Sequence, residues 1–136
     1  RTVMCALTGT ISLNCTSIKN TTLLKLHDFT DSTLHSSQGC VTAGPHYNPR
    51  EVDHPGHPGD LGNFVSEQGV IRRFQMLPEA KLFGGQSVLG RAVVVHEKED
   101  DLGMGSDEES KRSGNAGKRI AGCVIGAEEI MHCVLD

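Results

Sequence analysis

The sequence predicts an all-β fold, a sandwich of short strands carrying two long functional loops. The apolar runs are short and separated by clusters of Gly, Pro, Asn and Asp, with sixteen glycines in 136 residues to supply tight turns. Apolar residues almost nowhere recur at helical spacing. Two irregular stretches, 31–62 and 97–118, are far longer than ordinary connections, and in compact domains such lengths go with function or a bound ion.

Val3–Leu7, Leu23–Phe29, Gly69–Met76, Val88–His96 and Arg119–Ile125 read as strands. From Leu24 to Phe29 apolar and polar residues roughly alternate, as one buried strand face requires. Ala92–Val95 is a continuous, mostly β-branched run, the pattern of a strand covered on both faces. No internal repeat is present. The length makes one domain, residues 1–136, with a single core.

Composition excludes several classes of function. No apolar run approaches the roughly 20 residues of a membrane-spanning helix. A net charge of −4 with intermingled signs argues against nucleic acid as a partner. The first residues lack the basic-then-apolar plan of a signal peptide, which implies a mature chain or one whose start is missing. Five cysteines and two glycosylation triplets, Asn14-Cys15-Thr16 and Asn20-Thr21-Thr22, point to a secreted, extracellular glycoprotein with at least one disulfide bond. The odd cysteine count leaves one thiol free or paired between chains.

Four of the seven histidines fall between His35 and His57. His46, His54, His57 and Asp60 offer three imidazoles and a carboxylate on one proline-stiffened loop, a donor set that suits tetrahedral zinc. The alternative is a surface loop that happens to be rich in His and Pro. His27 and His96 lie on strands, where a lone histidine is more often a satisfied core residue than a ligand.

Longer matches then arise. Gly39-Cys40-Val41-Thr42-Ala43-Gly44-Pro45-His46-Tyr47-Asn48-Pro49 resembles the stretch of the Cu/Zn superoxide dismutases that carries a disulfide cysteine and the metal-bridging histidine. His57-Pro58-Gly59-Asp60-Leu61-Gly62-Asn63 is similar to that family's zinc-ligand segment, and Gly90–Gly103 to its copper strand and following loop. Gly114-Asn115-Ala116-Gly117-Lys118-Arg119 is similar to its active-site arginine segment. The resemblance runs from about Leu24 to Gly126.

It implies a Greek-key β-sandwich or barrel. It also implies that His46 bridges copper and zinc, that His54, His57 and Asp60 complete the zinc site, and that His27 and His96 serve copper. Asp100 matches the carboxylate that links the two metal sites, and Arg119 the guanidinium that guides superoxide. Glu108, Glu109 and Arg112 fall where the family steers small anions electrostatically, a role for which this enzyme is a standard example. Cys40 and Cys123 are the implied disulfide pair, although Cys123 stands one place later than the family pattern, a shift that turns a strand side chain to the other face.

Other departures concern chemistry. The family has His-x-His where this chain reads Lys25-Leu26-His27, and an ammonium cannot coordinate a metal. Lys25 either supplies positive charge near Asp100 or points to solvent. Only Pro55 and Gly56 separate His54 from His57, so the zinc geometry is expected to be unusual. The segment between Cys5 and Leu23 is short, as if a hairpin were missing. Family topology sets the first and last strands side by side, which allows Cys133 to bond Cys5 or Cys15. Residues 127–136 extend past the usual family end and are expected to contact a partner subunit, while His35 and His132 read as surface residues.

These features give a secreted Cu/Zn superoxide dismutase-like metal-binding protein, its zinc site kept and its copper site impaired by Lys25. It is similar in this to the dismutase-like proteins of mollusc haemolymph such as cavortin and pernin, metal carriers or assembling body-fluid proteins, which implies a homo-oligomer. The alternative is an active antioxidant enzyme converting superoxide to oxygen and hydrogen peroxide. Superoxide or metal ions are the expected small partners.

Overall fold

A computed structural model of the chain describes residues 4–7, 11–16, 21–29, 43–68, 70–75, 77–126 and 133–135. The side chains of several strand residues, those of Cys5, Asn14, Cys15 and Cys133 among them, lie outside the description. Among the described residues there are nine strands and one helix: β1 (Met4–Leu7), β2 (Ile11–Thr16), β3 (Thr21–Phe29), β4 (Ala43–His46), β5 (Asp60–Val65), β6 (Val70–Gln75), β7 (Ala92–His96), α1 (Glu108–Ser113), β8 (Arg119–Val124) and β9 (Cys133–Leu135). All strand pairs are antiparallel. One sheet has the order β1-β2-β6; the other runs β4-β3-β7-β8-β9, with β5 sharing with β4 one edge of β3. The all-β expectation holds.

The period-2 geometry of a strand divides its residues between two faces. On β7, Val93 and Val95 enter the main core with Leu24, Tyr47, Leu61, Ile71, Val88, Ala121 and Cys123, whereas Ala92 and Val94 pack with Ala43 on the opposite face. All five residues of β7 are buried, as its continuous apolar run requires. Lys25 and His27 alternate with Leu24 on β3, and pair in register with Val94 and Ala92. The metal-ligating candidates therefore share the Ala92/Val94 face of the large sheet, away from the main core.

Several expectations need correction. The strand read as Val88–His96 begins only at Ala92, because Val88–Arg91 turns, with Arg91 N–H donating to the Val88 carbonyl. The stretch 31–62 contains β4 and the start of β5, and the stretch 97–118 contains α1. β2 was not anticipated. Residues 133–135 of the tail pair with β8 of their own chain, Cys133 opposite Cys123. Thus β9 borders β8, while β1 belongs to the other sheet, against the expected adjacency of first and last strands. Cys123 is buried and disulfide-bonded. Its expected partner Cys40 lies outside the described residues, as do Asn20, His35 and His132.

α1 is short but well terminated. The Asp107 carboxylate accepts from the Ser110 N–H at the N-cap, and Gly114 closes the helix in the left-handed conformation (φ 73°) with its N–H on the Ser110 carbonyl. Asn63 ties this loop to β5: its side-chain amide donates to the Asp100 carbonyl (2.9 Å), and its oxygen accepts from the Asp100 N–H (2.7 Å).

Candidate metal centre

Strand register assembles the site. His27 on β3 stands opposite His46 on β4, Lys25 opposite Asp60 on β5, and His96 on β7 opposite Arg119 on β8. Residues 47–59 and 97–118 cover this face, leaving the side chains of Lys25, His54 and Asp100 at most 1 % exposed. No helix among the described residues is long and apolar enough to cross a membrane.

Two ligand groups result. His46, His54, His57 and Asp60 form one, His27, His46 and His96 the other; within each, one ligand atom per residue lies within 4.8 Å of all the others. In the first group His46 Nδ1 is 3.2 Å from His57 Nδ1 and 3.1 Å from Asp60 Oδ1. Asp60 Oδ2 is 2.8 Å from His54 Nδ1 and 3.0 Å from His57 Nδ1. A tetrahedron built on metal–ligand bonds of about 2.0–2.1 Å has edges of about 3.3 Å, and these donor spacings, measured to both Asp60 oxygens, are of that order. Asp60 Oδ1 is also the one buried side-chain oxygen or nitrogen among the described residues without a hydrogen bond, an acceptor suited to a cation. The short His54–His57 spacing, expected to disturb the geometry, is accommodated.

In the second group His27 Nε2 and His96 Nε2 face each other at 3.2 Å. Their Nδ1 atoms lie against the carbonyls of Gly44 (2.8 Å) and Gly117 (3.2 Å), to which a ring N–H donates, leaving Nε2 as the lone-pair nitrogen of each. Burial above all pushes the His27 imidazole down to about 2 and that of His96 to about 4, against the opposing pull of those carbonyls. His46 is lowered too, mainly by burial, with Asp60 opposing. Burial alone raises the Asp60 carboxyl, but His46, Lys25 and His57 together hold it well below the carboxylate range. Burial thus favours the neutral form of His27, His46 and His96, while Asp60 is held ionised. His46 is common to both groups, and its Nδ1 is turned to Asp60 and His57.

Lys25 does not reach solvent. Its side chain is 0 % exposed, and Nζ donates to the Ser113 carbonyl (2.9 Å). Nζ also lies 3.2 Å from Asp60 Oδ1, 3.4 Å from Asp100 Oδ2 and 3.4 Å from His46 Nδ1. Asp100 in turn accepts from His54 Nε2 (2.7 Å) and from the Leu102 N–H (2.8 Å) through Oδ1. Asp100 therefore connects the imidazole of one metal group to an ammonium.

Arg119 donates to the carbonyls of Ala43 and Gly44 and approaches His27 Nδ1 (3.4 Å). It lines an open cavity of about 600 Å³ together with His27, His46, His96 and Arg112. Sequence reasoning assigned no role to Asn63 or Gly114. A glycine right after a capped turn is the signal for the second; a Cβ there would sit 1.7 Å from Asp100 Oδ1. Nothing in the sequence signals the Ser113 carbonyl.

Fold and site together define a β-sheet metalloprotein with adjoining histidine–carboxylate and histidine ligand groups. The profile of the copper/zinc superoxide dismutase (SODC) family matches residues 8–125. The chain is 52 % identical to the extracellular Cu-Zn superoxide dismutase of Mus musculus over 103 residues, 76 % of this chain and 39 % of that protein. The Homo sapiens extracellular enzyme is 50 % identical over 103 residues, 76 % of this chain and 41 % of that protein. Superoxide dismutase (Cu-Zn) A of Xenopus laevis is 47 % identical over 107 residues, 74 % of this chain and 68 % of that protein. The chain belongs to the copper/zinc superoxide dismutase family, and spans about two fifths of the length of the extracellular relatives it matches.

Proposed function

We propose that this chain is an extracellular zinc-holding protein of the superoxide dismutase type with a weakened copper site. The observation that carries this reading is the placement of Lys25, whose ammonium packs against Asp60, Asp100 and His46 where the family pattern has a copper-ligating histidine. Copper is left with His27, His46 and His96, whereas zinc keeps His46, His54, His57 and Asp60. When bound, zinc supplies fixed positive charge and copper the one-electron chemistry of superoxide dismutation.

The chain's own residues act as follows. Asp100 orients His54 by accepting from Nε2, so that Nδ1 faces the zinc group. The Gly44 and Gly117 carbonyls orient His27 and His96. Arg119 lines the cavity wall, where its guanidinium would attract a small anion such as superoxide, while Arg112 is paired there with Glu109. Secretion is supported by the extracellular relatives and by the triplets at Asn14 and Asn20. The Cys40–Cys123 pairing, a homo-oligomeric state and a carrier role among body-fluid proteins belong to the same reading.

Elemental analysis of the purified protein, followed by a superoxide assay after copper loading, tests it. Zinc in equimolar amount, little copper and no dismutation are expected. Full copper uptake with rapid dismutation would establish the second reading, an active enzyme, which Arg119 and the charges of α1 favour. A protein without zinc sinks both.

A further inference from the structure

We infer that Lys25 is a resident counter-cation of the zinc site, holding the Asp60 and Asp100 carboxylates together when zinc is absent and opposing zinc as it enters. This rests on the zinc reading above and deepens it. Lys25 lies mid-strand on β3, on the sheet face that residues 47–59 and 97–118 cover, and its side chain is 0 % exposed. Its ammonium makes a hydrogen bond to a backbone carbonyl at 2.9 Å and lies within 3.4 Å of one oxygen of each carboxylate.

Two side chains of like charge buried at this distance from one cation repel each other and require a balancing charge. Asp60 Oδ1 shows the need most clearly, since it has no hydrogen bond and faces Nζ at 3.2 Å. A neutral imidazole at position 25 supplies no such charge. The same placement sets the ammonium 3.2–3.4 Å from two atoms of the zinc group, Asp60 Oδ1 and His46 Nδ1. A dication held there meets a fixed like charge close by, in a site where solvent screens little. The chain accordingly keeps its site assembled without metal and holds zinc less tightly than it would without this charge.

The test compares the full chain with Lys25→Met, which keeps an unbranched stem and removes the charge. Zinc affinity is measured by competition with a chelator, and Tm with and without zinc. The variant is expected to melt lower than the parent when metal-free, yet to bind zinc roughly tenfold more tightly or better. Equal zinc affinity, or an unchanged metal-free Tm, overturns the inference while leaving the zinc reading intact. A variant that folds only with zinc is the expected result in its strongest form. If it folds in neither state, Lys25→Met combined with Asp100→Asn decides: restored folding supports the charge balance, and continued failure overturns it. A parent that binds no zinc sinks the zinc reading; zinc uptake by Lys25→Met alone then upholds the inference, and its absence ends both.

Discussion

His27 and His96, sixty-nine residues apart, point their Nε2 atoms at each other across 3.2 Å while backbone carbonyls hold their Nδ1 atoms. Two lone pairs at that separation repel unless a proton or metal ion lies between them, and burial disfavours the proton on both rings. With His46 they form a three-histidine group that, read as a copper site, lacks a fourth ligand. Lys25→His supplies one. Copper titration should show Lys25→His binding more than about tenfold tighter than the parent, a change no smaller than outer-sphere partners alone produce. Equal tight binding by both would remove the case for an impaired site.

Asp100 controls the other group through His54. Replacing it by Asn keeps one acceptor but removes the charge that braces the imidazole. Zinc affinity of Asp100→Asn should fall by about 10–100-fold with the fold retained, as read by chelator competition beside circular dichroism. Unchanged affinity would show that His54 needs no such brace.

Gly114 admits no side chain. Its φ of 73° is unfavourable for other residues, and a Cβ would also lie 2.7 Å from His54 Nε2. Gly114→Ala should therefore cost more than about 2 kcal/mol in stability and weaken zinc binding in the same protein. A Tm equal to the parent's would mean that the loop yields where the contacts say it cannot.

Asp107 gives the helical loop an acid dependence. Its carboxyl is held below the ordinary 3.8, first by the Ser110 N–H and then by the Asn115 amide. A depressed value in the folded chain means that the cap is complete above 3.8 and is lost as pH falls through the lower folded value. Asp107→Asn retains an acceptor that does not titrate. The Ser110 amide resonance should shift with acid in the parent and remain flat in the variant; identical profiles would assign the shift to another group.

Much of this was legible in the chain. The alternation around Lys25 and the unbroken run before His96 identified β3 and β7, because both follow from the twofold period of a strand. The grouping of His46, His54, His57 and Asp60 was legible because the four fall within fifteen residues of one another. β4 escaped because it is four residues long and contains Gly44 and Pro45, residues that normally mark turns. α1 escaped because six residues are too few to display a helical period, although Asp107 and Gly114 bracket it with start and stop signals. The direction of Lys25 was not legible at all. Alternation assigns it a face, but only the folding of two distant loops over that face decides whether it meets water or carboxylates.

Arg119 fastens β8 to the opening residues of β4 through the carbonyls of Ala43 and Gly44, three and two positions ahead of His46. The guanidinium that lines the cavity is thereby also a rivet between two strands of the ligand frame. Any change in anion binding by an Arg119 variant would mix weakened attraction with a loosened frame, and restoring charge alone, for instance with a lysine, returns only the first.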